Sequence, residues 1–219
     1  MIIKNIIKSL NFFSCLNENQ LDRLIEISTI NTYDENYILN YEKTQTKYLY
    51  FLINGLAKSY KIDKNENEIF LYYIQNNNII SEISSIDTNT LNTYSNISFI
   101  EKSQVLSIDY KLFKKEFLDN NILIKSFLLE IIIRSKKLEL LINREFIFDA
   151  VTKVAMMIGS DLVMFNKLKR HDIALILHIQ PATLSRVLNR LRKNKIINIV
   201  QGQIFIMDKQ NLEIIYEEL

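Results

Sequence analysis

The period of the apolar positions changes several times along the chain, and each change predicts a different kind of element. Over residues 16–28, Leu16, Leu21, Leu24 and Ile27, with Ile25 beside them, fall at the three-and-four spacing of an amphipathic helix. Asn17 is placed to cap it, and Gln20 three residues on completes a capping-box pattern. From Ile30 to about Tyr110, short runs rich in Ile, Tyr, Phe and Leu alternate with polar turns. They lie around 30–33, 37–41, 48–53, 56–62, 68–74, 95–100 and 104–109. The runs Leu56 to Ile62 and Glu68 to Ile74 flank Asp63-Lys64-Asn65-Glu66-Asn67, a hairpin signal. Seven or so strands with no helical stretch between them predict a compact antiparallel sandwich or barrel. Gly55, the only glycine in the first 150 residues, is expected where φ must be positive.

Beyond Tyr110 the period turns helical. Ile124, Leu128, Ile131, Ser135, Leu138 and Ile142 alternate spacings of four and three, the seam of a two-stranded coiled coil. A helix over 121–147 is about 40 Å long at 1.5 Å per residue, too long for the small β-domain to cover. Its apolar residues could all pack on that domain, or half of them could face a second copy of the chain. Leu128/Ile132 and Leu138/Leu141 widen the stripe enough to serve both, which favours dimerisation. The seam fails at Glu145. Asp149 then reads as a new N-cap, followed by Val151, Val154, Ala155 and Ile158 on one helical face, with Gly159-Ser160-Asp161 ending that helix. The expected boundary is the Phe148/Asp149 joint, giving domains 1–148 and 149–219.

Leu168 to Ile197 reads as two short helices joined by a tight turn. Ile173, Ala174 and Leu177 mark the inner face of the first, and Leu184, Val187, Leu188 and Leu191 that of the second. The opposite face of the second carries Ala182, Ser185, Arg186 and Asn189, short or polar groups that can address base edges. Ile197-Asn198-Ile199-Val200, Gln201-Gly202 and Gln203-Ile204-Phe205-Ile206-Met207 then form a hairpin of the size of a wing. Asp208 caps a last helix bearing Leu212, Ile215 and Leu219.

Charge matters here through its distribution. The chain of 219 residues has 27 Lys+Arg against 25 Asp+Glu, a balance compatible with almost any partner. Between Leu162 and Met207, however, eight cations (Lys167, Lys169, Arg170, Arg186, Arg190, Arg192, Lys193, Lys195) face a single acid, Asp172. That excess sits on the candidate helix-turn-helix, as a phosphate-binding surface requires. The single cysteine, Cys15, excludes an intramolecular disulfide and a four-cysteine iron–sulfur site within one chain. It is expected as a buried apolar thiol. The apolar start is too short and too interrupted to span a bilayer and lacks a small-residue cleavage site, so an ordinary helix in a cytoplasmic protein, with no membrane partner, is expected. Two histidines in one basic motif, one cysteine and no glycine-rich loop supply no nucleophile–base pair or metal cluster, so the chain does not read as an enzyme.

The order β-domain, long helix, capped joint, helix-turn-helix and wing resembles the Crp/Fnr family of bacterial transcription regulators. Arg170-x-Asp172-Ile173-Ala174 and Thr183-Leu184-Ser185-Arg186-Val187-Leu188 are similar to the family's two motifs across the helix-turn-helix. Asp149-x-x-x-Lys153-Val154-Ala155 is similar to its joint, with Lys where Arg is usual, and Tyr50-Phe51-Leu52-Ile53-x-Gly55 to the apolar run of its β-domain. The resemblance implies an α+β fold: an N-terminal antiparallel β-roll like a cyclic-nucleotide-binding domain, a long dimerisation helix and a C-terminal winged helix-turn-helix. It implies a homodimer on double-stranded DNA with an inverted-repeat operator, and RNA polymerase as a partner. On this reading Arg186 reads a guanine, with Ser185, Gln180, Ala182 and Asn189 as further base readers. Lys169, Arg170, His171, Thr183 and Arg190 hold phosphates. His178 stands where the family often has Gly, so a positive φ is expected there.

The departures concern the sensor. Members that bind cyclic AMP carry a Gly-Glu pair and, some ten residues on, an Arg beside Ser or Thr. This chain has Ser81-Glu82, then Asn92-Thr93-Tyr94-Ser95, with no cation between Glu82 and Lys102. A phosphate buried without a positive partner is costly, so activation by cyclic AMP is not expected. The effector pocket is expected to be lined by Tyr72, Ile80, Glu82, Tyr94, Phe127 and Ile131, which suits an apolar ligand or none. Nothing in the residues points to haem, although some members use it. The competing reading is a haem- or small-molecule-binding sensor, for instance of nitric oxide, whose winged domain serves protein interaction.

Overall fold

The computed structural model describes residues 2–217 and, of Ile2, Arg144, Glu145 and Glu217, the backbone alone; Leu219, expected on the last helix, lies outside the described residues. The apolar start is not one helix. Helix α1 (Ile2–Ser9) stops ahead of a 3₁₀ turn at Asn11–Phe13, and α2 (Glu18–Glu26) follows. The capping box predicted for α2 is formed: the Asn17 carboxamide oxygen accepts from Gln20 N at 3.0 Å, and Gln20 Oε1 accepts from Asn17 N at 2.9 Å. Cys15 is exposed, not buried as expected, because it falls in the turn between Asn11–Phe13 and α2 and not on an apolar face.

Strands β1 (Ser28–Tyr33), β10 (Ser103–Asp109), β4 (Tyr48–Asn54) and β7 (Asn78–Ile79) form one antiparallel sheet in that order. A second has the order β2 (Ile38–Asn40), β9 (Asn96–Phe99), β5 (Ala57–Ile62), β6 (Glu68–Ile74). Two-residue strands β3 (Gln45–Thr46) and β8 (Leu91–Asn92) pair with each other. The seven expected runs are all strands; β3, β7 and β8 were not anticipated, since two residues display no period. Alternation along β4 and β10 divides the core. Leu49, Phe51, Leu106 and Ile108 pack with Ile7, Phe13, Leu24 and Phe117 from the helical segments. Leu52 and Val105 instead join Ala57, Ile97 and Phe99 between the sheets. Gly55 has φ +111°, and a Cβ there would meet Ser103 Oγ at 2.1 Å, so this corner accepts only glycine.

Helix α3 (Tyr110–Phe113) runs into a π-helical turn at Lys114–Leu118, and the long helix α4 spans Ile124–Phe146. Phe127 and Ile124 pack on the helical side of the core. The rest of the predicted seam lies bare: Leu128 is 54% exposed, Ile131 42%, and Leu138 and Ile142 55% each, with Ser135 exposed between them. The chain packs as two compact units, Met1–Lys137 and Leu138–Leu219. The division falls inside α4, ahead of the Phe148/Asp149 joint, and Leu140 lines an apolar hollow with Phe148, Met156, Met157 and Leu177 of the second unit.

In that second unit Asp149 caps α5 (Ala150–Ser160), accepting from Thr152 N at 2.8 Å. The helix ends at Ser160 with Asp161 as its C-cap, as Gly159-Ser160-Asp161 predicts, although Gly159 itself is still helical. At Gly159 a Cβ would meet Tyr216 Oη at 2.5 Å, so the glycine admits the final helix, α9 (Lys209–Glu217). Asp161 follows and caps an unanticipated short helix, α6 (Leu162–Lys167), accepting from Met164 N at 2.9 Å. Helices α7 (Arg170–Ile176) and α8 (Pro181–Lys193) form the predicted pair, with His178 in the turn at φ 50°. Strands β11 (Ile197–Val200) and β12 (Gln203–Ile206) form the wing. Its two-residue turn, Gln201-Gly202, has positive φ at both positions, the twist a tight hairpin favours. No helix among the described residues is long and apolar enough to cross a membrane.

Candidate nucleic-acid interface

Helix α8 separates its residues by face. Leu184, Val187, Leu188 and Leu191 are buried, while Ala182, Ser185, Arg186 and Asn189 are exposed along the opposite side. Pro181 occupies the first turn, where its missing N–H costs no intrahelical bond. Gln180 precedes it in extended conformation, exposed, its side chain making no capping bond. All five expected base readers therefore lie on one solvent-facing surface at the start and along one side of α8. Arg186, Arg192 and Lys193 make no ion pair among the described residues. Lys169 is exposed as well.

The expected phosphate holders divide. Lys169 and His171 are exposed at the start of α7, and Thr183 is half-buried in the first turn of α8. Arg190 is exposed beside a groove lined by Asp149, Thr152, Asn194 and Ile214. Its charge helps hold the Asp149 carboxyl below its usual range, although the larger cause is the hydrogen bond from Thr152 N. Arg170 is the exception. Its guanidinium lies 5.0 Å from the centre of the buried Phe165 ring and donates to the wing carbonyl of Gly202 at 2.6 Å. Burial pushes its pKa down. Arg170 thus fastens α7 to the wing from inside the domain.

Asn166 does related work that the sequence did not suggest. Its carboxamide donates to Ile204 O at 2.9 Å and accepts from Ile204 N at 2.8 Å, pairing with β12 as a neighbouring strand would. A lone Asn whose partner is remote in sequence leaves no local signal. The helix faces, in contrast, were fully periodic.

In the β-unit, Tyr72 and Ile80 of the six expected effector residues share one cluster, and Glu82 meets Tyr94. Phe127 belongs to the helical side of the core, while Ile80 lies between the sheets with Tyr72 against that cluster. Tyr94 and Ile131 are exposed. Glu82 is engaged: its carboxylate accepts from Tyr94 N, from Ser95 N at 3.2 Å and from Ser95 Oγ at 2.9 Å. The cations absent from the segment after Glu82 come from α4. Arg134 donates to the carbonyl of Ser81, and the Lys137 ammonium stands 5.7 Å from the centre of the Tyr72 ring. Burial pushes the Lys137 ammonium down, assisted by Arg134 and opposed by Glu130; burial likewise holds the Glu130 carboxyl up. Glu130, Arg134 and Lys137 are spaced as a helical stripe, a signal available in the sequence but outside the stretch expected to hold the cation. Among the described residues no group of three or more His, Cys, Asp or Glu could hold a metal ion.

Comparison with known proteins agrees with this division. A family model described as a Crp-like helix-turn-helix domain matches residues 154–215, and one described as a cyclic nucleotide-binding domain matches residues 30–120. No curated protein sequence matches the chain. Among solved structures, FixK2 from Bradyrhizobium japonicum superposes with a TM-score of 0.69 at 16% identity, covering 87% of this chain and 98% of its own. A putative transcriptional regulator of the Crp/Fnr family from Eubacterium rectale gives 0.69 at 15%, covering 94% and 98%. A CooA variant from Carboxydothermus hydrogenoformans gives 0.69 at 19%, covering 95% and 94%. At such identities the structures speak to the fold.

Proposed function

The chain belongs to the Crp/Fnr family of DNA-binding transcription regulators, and from that membership we propose how it works: as a homodimer reading an inverted-repeat operator through α8. The observation that carries this reading is the exposed face Ala182, Ser185, Arg186, Asn189, opposite a buried apolar face and beside cations that make no ion pair among the described residues. Arg186 reads a guanine through O6 and N7, with Ser185, Gln180 and Asn189 beside it. Ala182 offers only an apolar surface, suited to a thymine methyl. Lys169, His171, Thr183 and Arg190 hold phosphates and set register. The bare seam Leu128, Ile131, Ser135, Leu138, Ile142 meets its copy in a second chain, which sets two half-sites about one helical turn apart. The domains divide by task at the Phe148/Asp149 joint, and the protein works in the cytoplasm alongside RNA polymerase. Cyclic AMP is not its signal.

The test uses the full chain and a duplex selected from a random-sequence pool. Binding should weaken steeply with salt, the log–log slope being about −0.9 per phosphate contact, and the selected sequences should be inverted repeats. A slope near zero overturns the reading. Sedimentation should give a dimer, lost when Leu128 and Leu138 are both replaced by Glu. Calorimetry with cyclic AMP should show no micromolar binding.

A further inference from the structure

A carboxylate held by consecutive main-chain amides occupies the kind of concavity that binds free anions. In the β-unit that carboxylate belongs to the chain itself. Tyr94 N and Ser95 N both donate to one oxygen of Glu82, and Ser95 Oγ donates to the other at 2.9 Å. The hydroxyl is aimed from behind: Ser59 Oγ donates to Ser95 Oγ at 2.7 Å, which leaves the Ser95 proton free to point at Glu82. Ser59 and Ser95 are both fully buried. Among the described residues Glu82 makes no ion pair, so this seat holds its anion with neutral donors alone.

We propose that Tyr94 and Ser95 form a carboxylate-binding seat and that Glu82 fills it as a built-in ligand. The proposal rests on reading the β-unit as the regulatory domain of a DNA-binding protein. The sequence suits an apolar ligand or none, and a tethered anion is a way of needing none. The connection to α4 is short: Ser81, the residue before Glu82, accepts from the Arg134 guanidinium. Filling the seat therefore fixes the strap to which α4 is fastened. The wild-type chain carries its occupied state with it and binds its operator with no added small molecule, and emptying the seat makes that binding depend on a free carboxylate.

The experiment compares wild type, Glu82→Ala and Glu82→Gln as full-length chains, with sodium formate as probe and sodium chloride at equal ionic strength as control. Glu82→Ala should melt about 3–6 °C lower, from the loss of hydrogen bonds to a charged acceptor in a chain of this size. Formate should restore part of that loss saturably, where chloride does not. Wild type and Glu82→Gln, whose seats are filled, should not respond to formate beyond chloride. Formate acting no better than chloride on Glu82→Ala, or equally well on wild type, overturns the seat. If Glu82→Ala does not fold, Glu82→Gln carries the test: it should melt below wild type, and equal melting overturns the proposal. Binding to the selected duplex is the second readout, weaker for Glu82→Ala and tightened by formate; binding indifferent to both overturns the built-in-ligand role. Rescue of melting without any DNA binding would instead leave the seat standing and sink the DNA-reading role.

Discussion

The two units treat charge in opposite ways. In the β-unit several charged side chains are answered from within: Lys58 by Glu68, Lys61 by Glu42, Lys4 by Glu18 and Asp22, and Glu82 by amides and a hydroxyl. Along α8 they are not, and Arg186, Arg192 and Lys193 stand exposed with no carboxylate partner among the described residues. A surface that keeps unneutralised cations next to one apolar-backed helix face is stabilised by what it meets, since like charges held close oppose the fold that carries them. The contrast supports the proposal that DNA meets the second unit, on which the Crp-like helix-turn-helix model falls.

The largest expected effect tests what holds the reading surface in shape. Phe165 is fully buried in α6 and lies beneath the Arg170 guanidinium. Phe165→Ala should cost about 3–5 kcal/mol in urea denaturation, from lost burial and the cavity left behind. A loss under about 1 kcal/mol would mean the wing is held by β12 and Asn166 alone.

How much of this was legible in the sequence follows the physics of each element. Faces repeat: α8, α2 with its capping box, the seam of α4 and the seven longer strands each announce themselves by period or by a local cap. Strands β3, β7 and β8 are too short to repeat, and α6 is a single capped turn and a half, also too short to display a period. The site shows the same divide. Exposure of the face proposed to read bases was legible, because burial of Leu184, Val187, Leu188 and Leu191 dictates it. The inward turn of Arg170 was not, since its partners Phe165 and Gly202 come from separate segments. Nor was the answer to Glu82, supplied by amides that any residue carries.

Arg170 is a cation of the second unit that is engaged from within, and it sharpens the comparison. Arg170→Ala removes a charged donor to Gly202 O and a contact with an aromatic face. The expected loss is about 2–3 kcal/mol of stability, measured by denaturant titration. The salt slope of DNA binding should stay unchanged. A slope shallower by about one unit, with stability intact, would return Arg170 to the phosphate role implied by the family resemblance.

Arg186 tests the outward half. Arg186→Ala should lower discrimination between the selected duplex and a scrambled one by about 1–3 kcal/mol in competition binding, while keeping most of the salt-dependent affinity. Equal weakening on both duplexes would make Arg186 a phosphate contact and shift base reading toward Ser185 and Gln180.

The smallest effect probes the inward half. Lys58 donates to both oxygens of Glu68, at 2.5 and 2.6 Å, and stands 4.9 Å from the centre of the Tyr60 ring. The pair keeps 24% and 35% of its side-chain surface in contact with water, so solvent screens it and Lys58→Met should cost only about 0.5–1 kcal/mol. Its value lies in DNA binding. A lysine already neutralised by its own carboxylate contributes no counterion release, so the salt slope of the Lys58→Met protein should match wild type. If the slope became shallower, the β-unit would be contributing charge to the nucleic acid despite its internal pairing. The division between a self-satisfied unit and an outward-facing one would then have to be redrawn by which ion pairs open when DNA arrives.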